Sequence, residues 1–185
     1  MSDLWIFGYG SLMWRPGFDH AEACPALLHG AHRSLCVYSV VHRGTETKPG
    51  LVLGLDSGGS CRGIAFRVNG AHGDATLQYL REREQATMVY LETLRTITLL
   101  DGSDRKLKAV CFVVDRKHPQ YAGRLPVSRQ AELVQTSKGA SGHNVEYVAN
   151  TVRHLDEMGL QEPPLAKLMA MLEPGGRNVG PIPRR

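Results

Sequence analysis

The chain has 185 residues, 42% hydrophobic and 22% charged, a composition that excludes the disordered and membrane-embedded classes and a length that fits one domain. Net charge is +4 with a pI near 9.0, yet the basic residues are dispersed. No Lys/Arg run or basic-aromatic stripe of a nucleic-acid binder is present, so the charge suits a small anionic substrate, with no nucleic-acid and no membrane partner expected.

The opening MSDLWIFGYG lacks a basic segment followed by a long apolar run, and no window approaches the roughly 18 apolar residues of a membrane span. A cytoplasmic location is expected. Cys24, Cys36, Cys61 and Cys111 are scattered in apolar segments, where reduced thiols pack as small hydrophobes, so no disulfide framework is expected.

Leu4 to Tyr9 reads as a short buried strand running into Gly8-Tyr9-Gly10-Ser11, whose glycines permit positive φ. Ala31 to Val41, Leu51 to Leu55 and Arg62 to Val68 are further strands, the last with Ile64, Phe66 and Val68 alternating; Gly58-Gly59 and Asn69-Gly70 supply turns. From Asp74 as N-cap to about Ala86 the pattern becomes helical, and Leu77, Leu80 and Glu84 share one face. Leu91 to Leu100 and Leu107 to Asp115 form a hairpin around Asp101-Gly102-Ser103-Asp104. Pro126 to Lys138, Asn144 to Met158 and Leu165 to Leu172 are helices, with Gly159 ending the second. Residues 1–173 read as a single domain and 174–185, rich in Gly, Pro and Arg, as a flexible tail. The fold class is α+β, a small antiparallel barrel with helices packed outside.

Consecutive N–H groups in Gly8-Tyr9-Gly10-Ser11-Leu12 can converge on a carboxylate or an oxyanion. A dinucleotide fingerprint fails because Met13 stands where a third glycine is needed, and a nucleophile elbow fails because position 10 is not serine. Within Arg81-Glu82-Arg83-Glu84, Glu82 falls off the apolar face and Glu84 on it, so Glu84 is the carboxylate whose pKa burial can shift. Cys24, His29, His32 and Cys36 lack the paired spacing of a zinc site, and no metal is expected. Arg43, after the second strand, can aim a guanidinium at a carboxylate.

Ile6-Phe7-Gly8-Tyr9-Gly10-Ser11-Leu12-Met13-Trp14 resembles the N-terminal signature of the ChaC-like γ-glutamylcyclotransferases. Further markers follow in order: His42-Arg43-Gly44, Lys48-Pro49-Gly50, Cys61-x-Gly63-x-Ala65, Tyr79-Leu80-x-x-Arg83-Glu84, Tyr121-x-Gly123 and Ser141-Gly142-x-Asn144-x-Glu146-Tyr147. The resemblance implies a β-barrel of the γ-glutamylcyclotransferase type, a substrate loop of Ile6, Phe7, Gly8, Tyr9, Gly10 and Ser11, and Glu84 as general acid/base. It also implies substrate contacts from Ser39, Arg43 and Tyr121. After Glu84 the family continues with a glycine pair and an aromatic, whereas this chain has Gln85-Ala86-Thr87-Met88-Val89-Tyr90, which bears on substrate choice.

The implied reaction cyclises the γ-glutamyl group of glutathione to 5-oxoproline and releases Cys-Gly, with no cofactor. Two alternatives stand: cyclisation of other γ-glutamyl amines or amino acids, and a non-catalytic regulatory subunit linked to cation transport. Oligomeric state and physiological role are not read from the sequence.

Overall fold

A computed structural model describes residues 2–84 and 88–172. Two compact units are present. Residues up to Tyr38 with Val52–Gly123 form the first, and Ser39–Leu51 with the described residues from Arg124 on form the second.

Five strands close a barrel in the order β1-β3-β2-β4-β5: β1 (Leu4–Gly8), β2 (Glu22–Ser39), β3 (Gly50–Val68), β4 (Tyr90–Leu99) and β5 (Lys106–Val114). β1 lies antiparallel to β3, from Leu4 opposite Val68 to Gly8 opposite Ile64, and meets β5 in parallel at Ile6 and Val110. The expected hairpin is β4–β5, in register from Tyr90 opposite Val114 to Thr98 opposite Lys106. In its turn Gly102 takes φ 89° and the Asp101 carboxylate accepts the Ser103 N–H at 2.9 Å.

Two strands are longer than expected. β2 begins at Glu22 and runs through Pro25 and Gly30, and β3 is one strand of 19 residues rather than two segments separated by a turn. The reason is backbone freedom. Gly30, Gly58 and Gly59 take φ of 82°, 94° and 69°, so each strand bends without ending, whereas Gly-Gly in sequence reads as a turn.

Helix α1 (Gly73–Glu84) places the fully buried Leu80 with Ile6, Phe66, Val68 and Phe112, the core between helix and sheet. Asn69, not Asp74, starts this segment. Its side chain accepts the Ala71 N–H at 2.9 Å and caps a 3-10 turn, Gly70–His72, that leads into α1, while Asp74 sits in the first turn of the helix. The expectations concerning Gln85 to Thr87, and the tail 174–185, fall outside the described residues.

In the second unit the expected helices are α2 (Val127–Thr136), α3 (Asn144–Glu157) and α4 (Pro163–Leu172), with a small hairpin, β6 (Lys138–Gly139) and β7 (Gly142–His143), between α2 and α3. Leu133, Val134, Val148, Leu155 and Leu168 are buried. Gly159 follows the last turn of α3 with φ 68°, and the Leu160 N–H reaches the Leu155 carbonyl at 2.8 Å, so left-handed backbone closes the helix. Among the described residues no helix is long and apolar enough to cross a membrane.

Candidate active site

Glu84 is the last residue of α1, on the side that buries Leu80. Its side chain is 17% exposed. Burial pushes its carboxyl above the ordinary carboxylate range, opposed by the Arg83 guanidinium, whose Nε is 3.4 Å away. Glu82 is exposed and, among the described residues, accepts from Gln78, Nε2 to Oε1 at 3.3 Å. Two neighbouring carboxylates therefore differ in environment, and Glu84 is the one suited to exchange protons.

The glycine loop leaves β1 at Gly8 and closes into a 3-10 turn, Ser11–Met13, whose N-cap is Gly10. Neither Gly8 nor Gly10 takes positive φ, which corrects the sequence expectation; Gly10 has φ −132°. Gly8 supplies space instead. A Cβ there would stand 3.2 Å from the Leu12 Cβ and 3.3 Å from the Phe66 ring, because the turn folds back on the strand end. At Gly10 the nearest atom would be Leu53 Cδ1 at 3.7 Å, an ordinary contact. Ile6 and Phe7 bury their side chains in the core, so backbone is what they have to offer a ligand.

Two arginines hold this loop, and sequence reasoning gave neither a role. Arg33 is 6% exposed; its Nε donates to the Tyr9 carbonyl and its Nη2 to the Arg62 carbonyl at 2.7 Å. Arg83 donates from Nη2 to Ser11 Oγ at 2.9 Å and from Nη1 to the Arg15 and Pro16 carbonyls at 2.7 and 3.1 Å. The same Nη1 lies 3.0 Å from the Tyr79 hydroxyl one helical turn back. Through Arg83 the structure links Glu84 to the loop that ends β1. The available signal was the Tyr79-Leu80-x-x-Arg83-Glu84 spacing, which puts Tyr79 and Arg83 four residues apart on one face.

Tyr121 belongs to a different group. Its hydroxyl donates to Asp56 Oδ2 at 2.9 Å, while Arg116 Nε and the Ser57 N–H donate to Oδ1 at 2.7 and 2.8 Å. Burial raises the Asp56 pKa, but the hydrogen bonds from Arg116, Ser57 and Tyr121 outweigh it and hold the carboxyl below its ordinary value. The neighbouring Cys36 thiol is pushed up to about 12, chiefly by burial and further by Asp56, so it is inert. A carboxylate with a lowered folded-state pKa contributes stability above the ordinary value of 3.8 and loses it as pH falls through the folded value. Asp56→Asn is accordingly expected to cost about 1–3 kcal/mol at neutral pH. Thermal melts against pH check this, the gap to wild type narrowing below the ordinary value.

Ser39 and Arg43 lie in the second unit and come together there. Ser39 Oγ accepts the Arg43 N–H at 3.0 Å, and Arg43 Nη1 donates to the Ser141 and His143 carbonyls at 2.6 and 3.3 Å while its guanidinium lies 5.5 Å from the Tyr147 ring centre. The fully buried Asn144 accepts the Leu51 N–H at 2.7 Å and donates to the Leu51 carbonyl at 2.8 Å. Gly142, at φ 103°, turns the β6–β7 hairpin under Arg43. Most of the Ser141 to Tyr147 marker is thus structural support for Arg43.

The possible ligands Cys24, His29, His32 and Cys36 are not gathered. His32 Nδ1 lies 2.9 Å from the Gly58 carbonyl, and Cys36 packs with Val37, Val89 and Val114. Among the described residues Glu22, Cys24 and Asp101 do come within 4.8 Å of one another, but Glu22 is paired with Arg67 at 2.9 Å and Asp101 holds its own turn.

The family model for ChaC-like proteins matches residues 4–174. The chain belongs to the ChaC-like family. It is 35% identical over 170 residues to the glutathione-specific γ-glutamylcyclotransferase of Escherichia coli, covering 92% of this chain and 73% of that one. To the human glutathione-specific γ-glutamylcyclotransferase 1 it is 34% identical, covering 85% and 72%. The crystal structure of a glutathione-specific γ-glutamyl cyclotransferase from yeast superimposes with a TM-score of 0.80 at 21% identity, covering 93% of this chain and 96% of that one. The ChaC-like fold is therefore the barrel described above with its accompanying helices, and some of the marker glycines stand at its tight spots. Gly63, for example, leaves no room for a Cβ against the Gly8 carbonyl and the Phe7 ring.

Proposed function

We propose that this ChaC-like protein is a glutathione-specific γ-glutamylcyclotransferase, with Glu84 as general acid/base and Ile6 to Ser11, Ser39, Arg43 and Tyr121 as its substrate contacts. The observation that carries the reading is the half-buried Glu84 carboxyl, raised in pKa and linked through Arg83 to the glycine loop. Identity of 35% to the E. coli enzyme supports the substrate. The match over residues 4–174 supports treating 1–173 as one functional domain. Four free cysteines suit a reducing, cytoplasmic setting.

In glutathione the α-amine and the γ-carbonyl belong to the same glutamyl residue, so the attack is intramolecular and gains most from correct orientation. The α-ammonium gives a proton to Glu84, its nitrogen bonds to the carbon of the γ-carbonyl, and the tetrahedral oxyanion forms within reach of donors on the loop. The bond to the cysteinyl nitrogen then breaks as Glu84 returns the proton to that nitrogen, and the ring nitrogen gives up its second proton, which ends on the released Cys-Gly amine as an ammonium. The products are 5-oxoproline and Cys-Gly. Arg33 and Arg83 keep the loop in place during these steps by holding its carbonyls and Ser11. The Tyr121 hydroxyl, donating to Asp56, still has lone pairs to accept a substrate ammonium.

Purified protein incubated with glutathione alone is expected to form 5-oxoproline and Cys-Gly in equal amounts, unaffected by EDTA. Consumption of other γ-glutamyl compounds with glutathione untouched would overturn the substrate. No 5-oxoproline from any of them would leave the regulatory reading.

A further inference from the structure

The β4 strand is flanked unequally. β5 pairs with it from Tyr90 to Thr98, but β2 meets it only where Ala26, Leu27 and Leu28 oppose Leu99, Thr98 and Ile97. Among the described residues, Leu91 to Thr96 therefore has a strand on one side only. In an antiparallel ladder alternate residues turn their N–H and C=O groups away from the partner, and along this stretch those groups face an open edge. Proteins usually blunt such an edge with charge or proline. Here Glu92, paired with Arg81 at 2.7 Å, and Arg95 supply charge, yet Leu91 is 44% and Leu94 61% exposed.

Where β2 departs, a cleft of about 450 Å³ opens beside the edge, with His29, Arg95, Lys106 and Lys108 on its walls together with Thr96 and Thr98, and with no carboxylate. The hairpin register sets Lys106 opposite Thr98 and Lys108 opposite Thr96, so the two ammonium groups rise from one face of β5. Among the described residues neither Arg95, Lys106 nor Lys108 is ion-paired. The nearest Arg95 partner is Thr93 Oγ1, at 3.4 Å from Nε.

We propose that this seam docks an extended, acidic segment of a partner protein, which adds a strand to the open edge of β4 and sets its carboxylates against Lys106, Lys108 and His29. Charge decides the occupant. A second copy of this chain, itself at +4, would bring the same lysines to face their own counterparts. The open ladder and the exposed leucines add a requirement that a small anion does not meet, a backbone to pair and apolar side chains to cover. The inference is independent of the cyclotransferase reading.

The test uses the full-length protein and a fluorescein-labelled peptide of alternating glutamate and valine, followed by anisotropy. Three further titrations use the same peptide with alternate amides N-methylated, its lysine-for-glutamate counterpart, and sodium tripolyphosphate. Binding of the acidic peptide is expected to weaken with salt, to vanish on N-methylation, to be absent for the lysine peptide, and to drop at least ~10-fold in Lys106→Glu/Lys108→Glu, a loss of about 1.4 kcal/mol. That double variant lies on the surface and is expected to keep its melting temperature and its 5-oxoproline formation. Equal binding of the N-methylated peptide overturns strand addition. No binding of the acidic peptide, or binding of tripolyphosphate alone, overturns the proposal altogether.

Discussion

Glu84→Gln is expected to lower kcat at least ~10²-fold while the protein stays folded and still binds glutathione, because the change keeps shape and removes the proton acceptor. Glu82→Gln, at an exposed carboxylate whose partner among the described residues is Gln78, is expected to change stability by a few tenths of a kcal/mol and turnover hardly at all. The pH dependence has a definite sign. Burial raises the Glu84 pKa, so the basic form needed to accept a proton appears only above the ordinary value of 4.5, and the acid limb of kcat/KM lies above that value. The same raised pKa means that stability falls as pH rises through the folded value, since the native state prefers the protonated form. Glu84→Gln is thus expected to melt no lower than wild type at neutral pH, and calorimetry beside steady-state rates measures both effects. Full activity in the Gln variant, or a larger loss in Glu82→Gln, would show that the acid/base group lies elsewhere.

Arg83→Met is expected to cost about 10- to 10²-fold in kcat/KM, the range for a reacting group displaced by about an ångström. The guanidinium donates to Ser11, Arg15 and Pro16 from the residue beside Glu84, and methionine keeps the stem while losing every donor. A loop left free to move should raise KM and lower kcat together. Arg83→Lys should restore part of the loss, since one ammonium can reach a carbonyl but cannot span the set. If the arginine served stability alone, both variants would melt earlier while kcat/KM held at temperatures well below the transition. Steady-state kinetics with a melting curve for each variant separates the two outcomes.

Helical spacing alone separated Glu84 from Glu82, because a period of 3.6 residues puts position 84 above Leu77 and Leu80. The β4–β5 hairpin and the three C-terminal helices were legible for the same reason: their patterns and caps are local. What stayed hidden depends on residues far apart in the chain. Arg33 reads as a strand arginine until the fold brings the Tyr9 and Arg62 carbonyls to it, and no local pattern singles out Asp56, whose partners Arg116 and Tyr121 lie some sixty residues further on. The glycines misled in both directions. Gly8 and Gly10 permit a left-handed backbone that neither adopts, and Gly58-Gly59 reads as a turn although it bends a continuous strand.

The closure of the barrel carries a kinetic consequence for synthesis. β1 is made first, yet its antiparallel partner in β3 emerges roughly sixty residues later, and its parallel neighbour Val110 roughly a hundred residues later. At translation rates of about 5–20 residues per second, that leaves Leu4–Gly8 without its last neighbour for about 5–20 s. During this interval the apolar segment LWIFG has no core to enter, and a nascent chain stalled before β5 exposes it to other chains. Arg33 is available early to grip the Tyr9 carbonyl, Arg83 only after α1 is made, and β5 last of all. Although β1 precedes the other strands, the glycine loop that follows it is framed on every side only when the final strand of the barrel arrives.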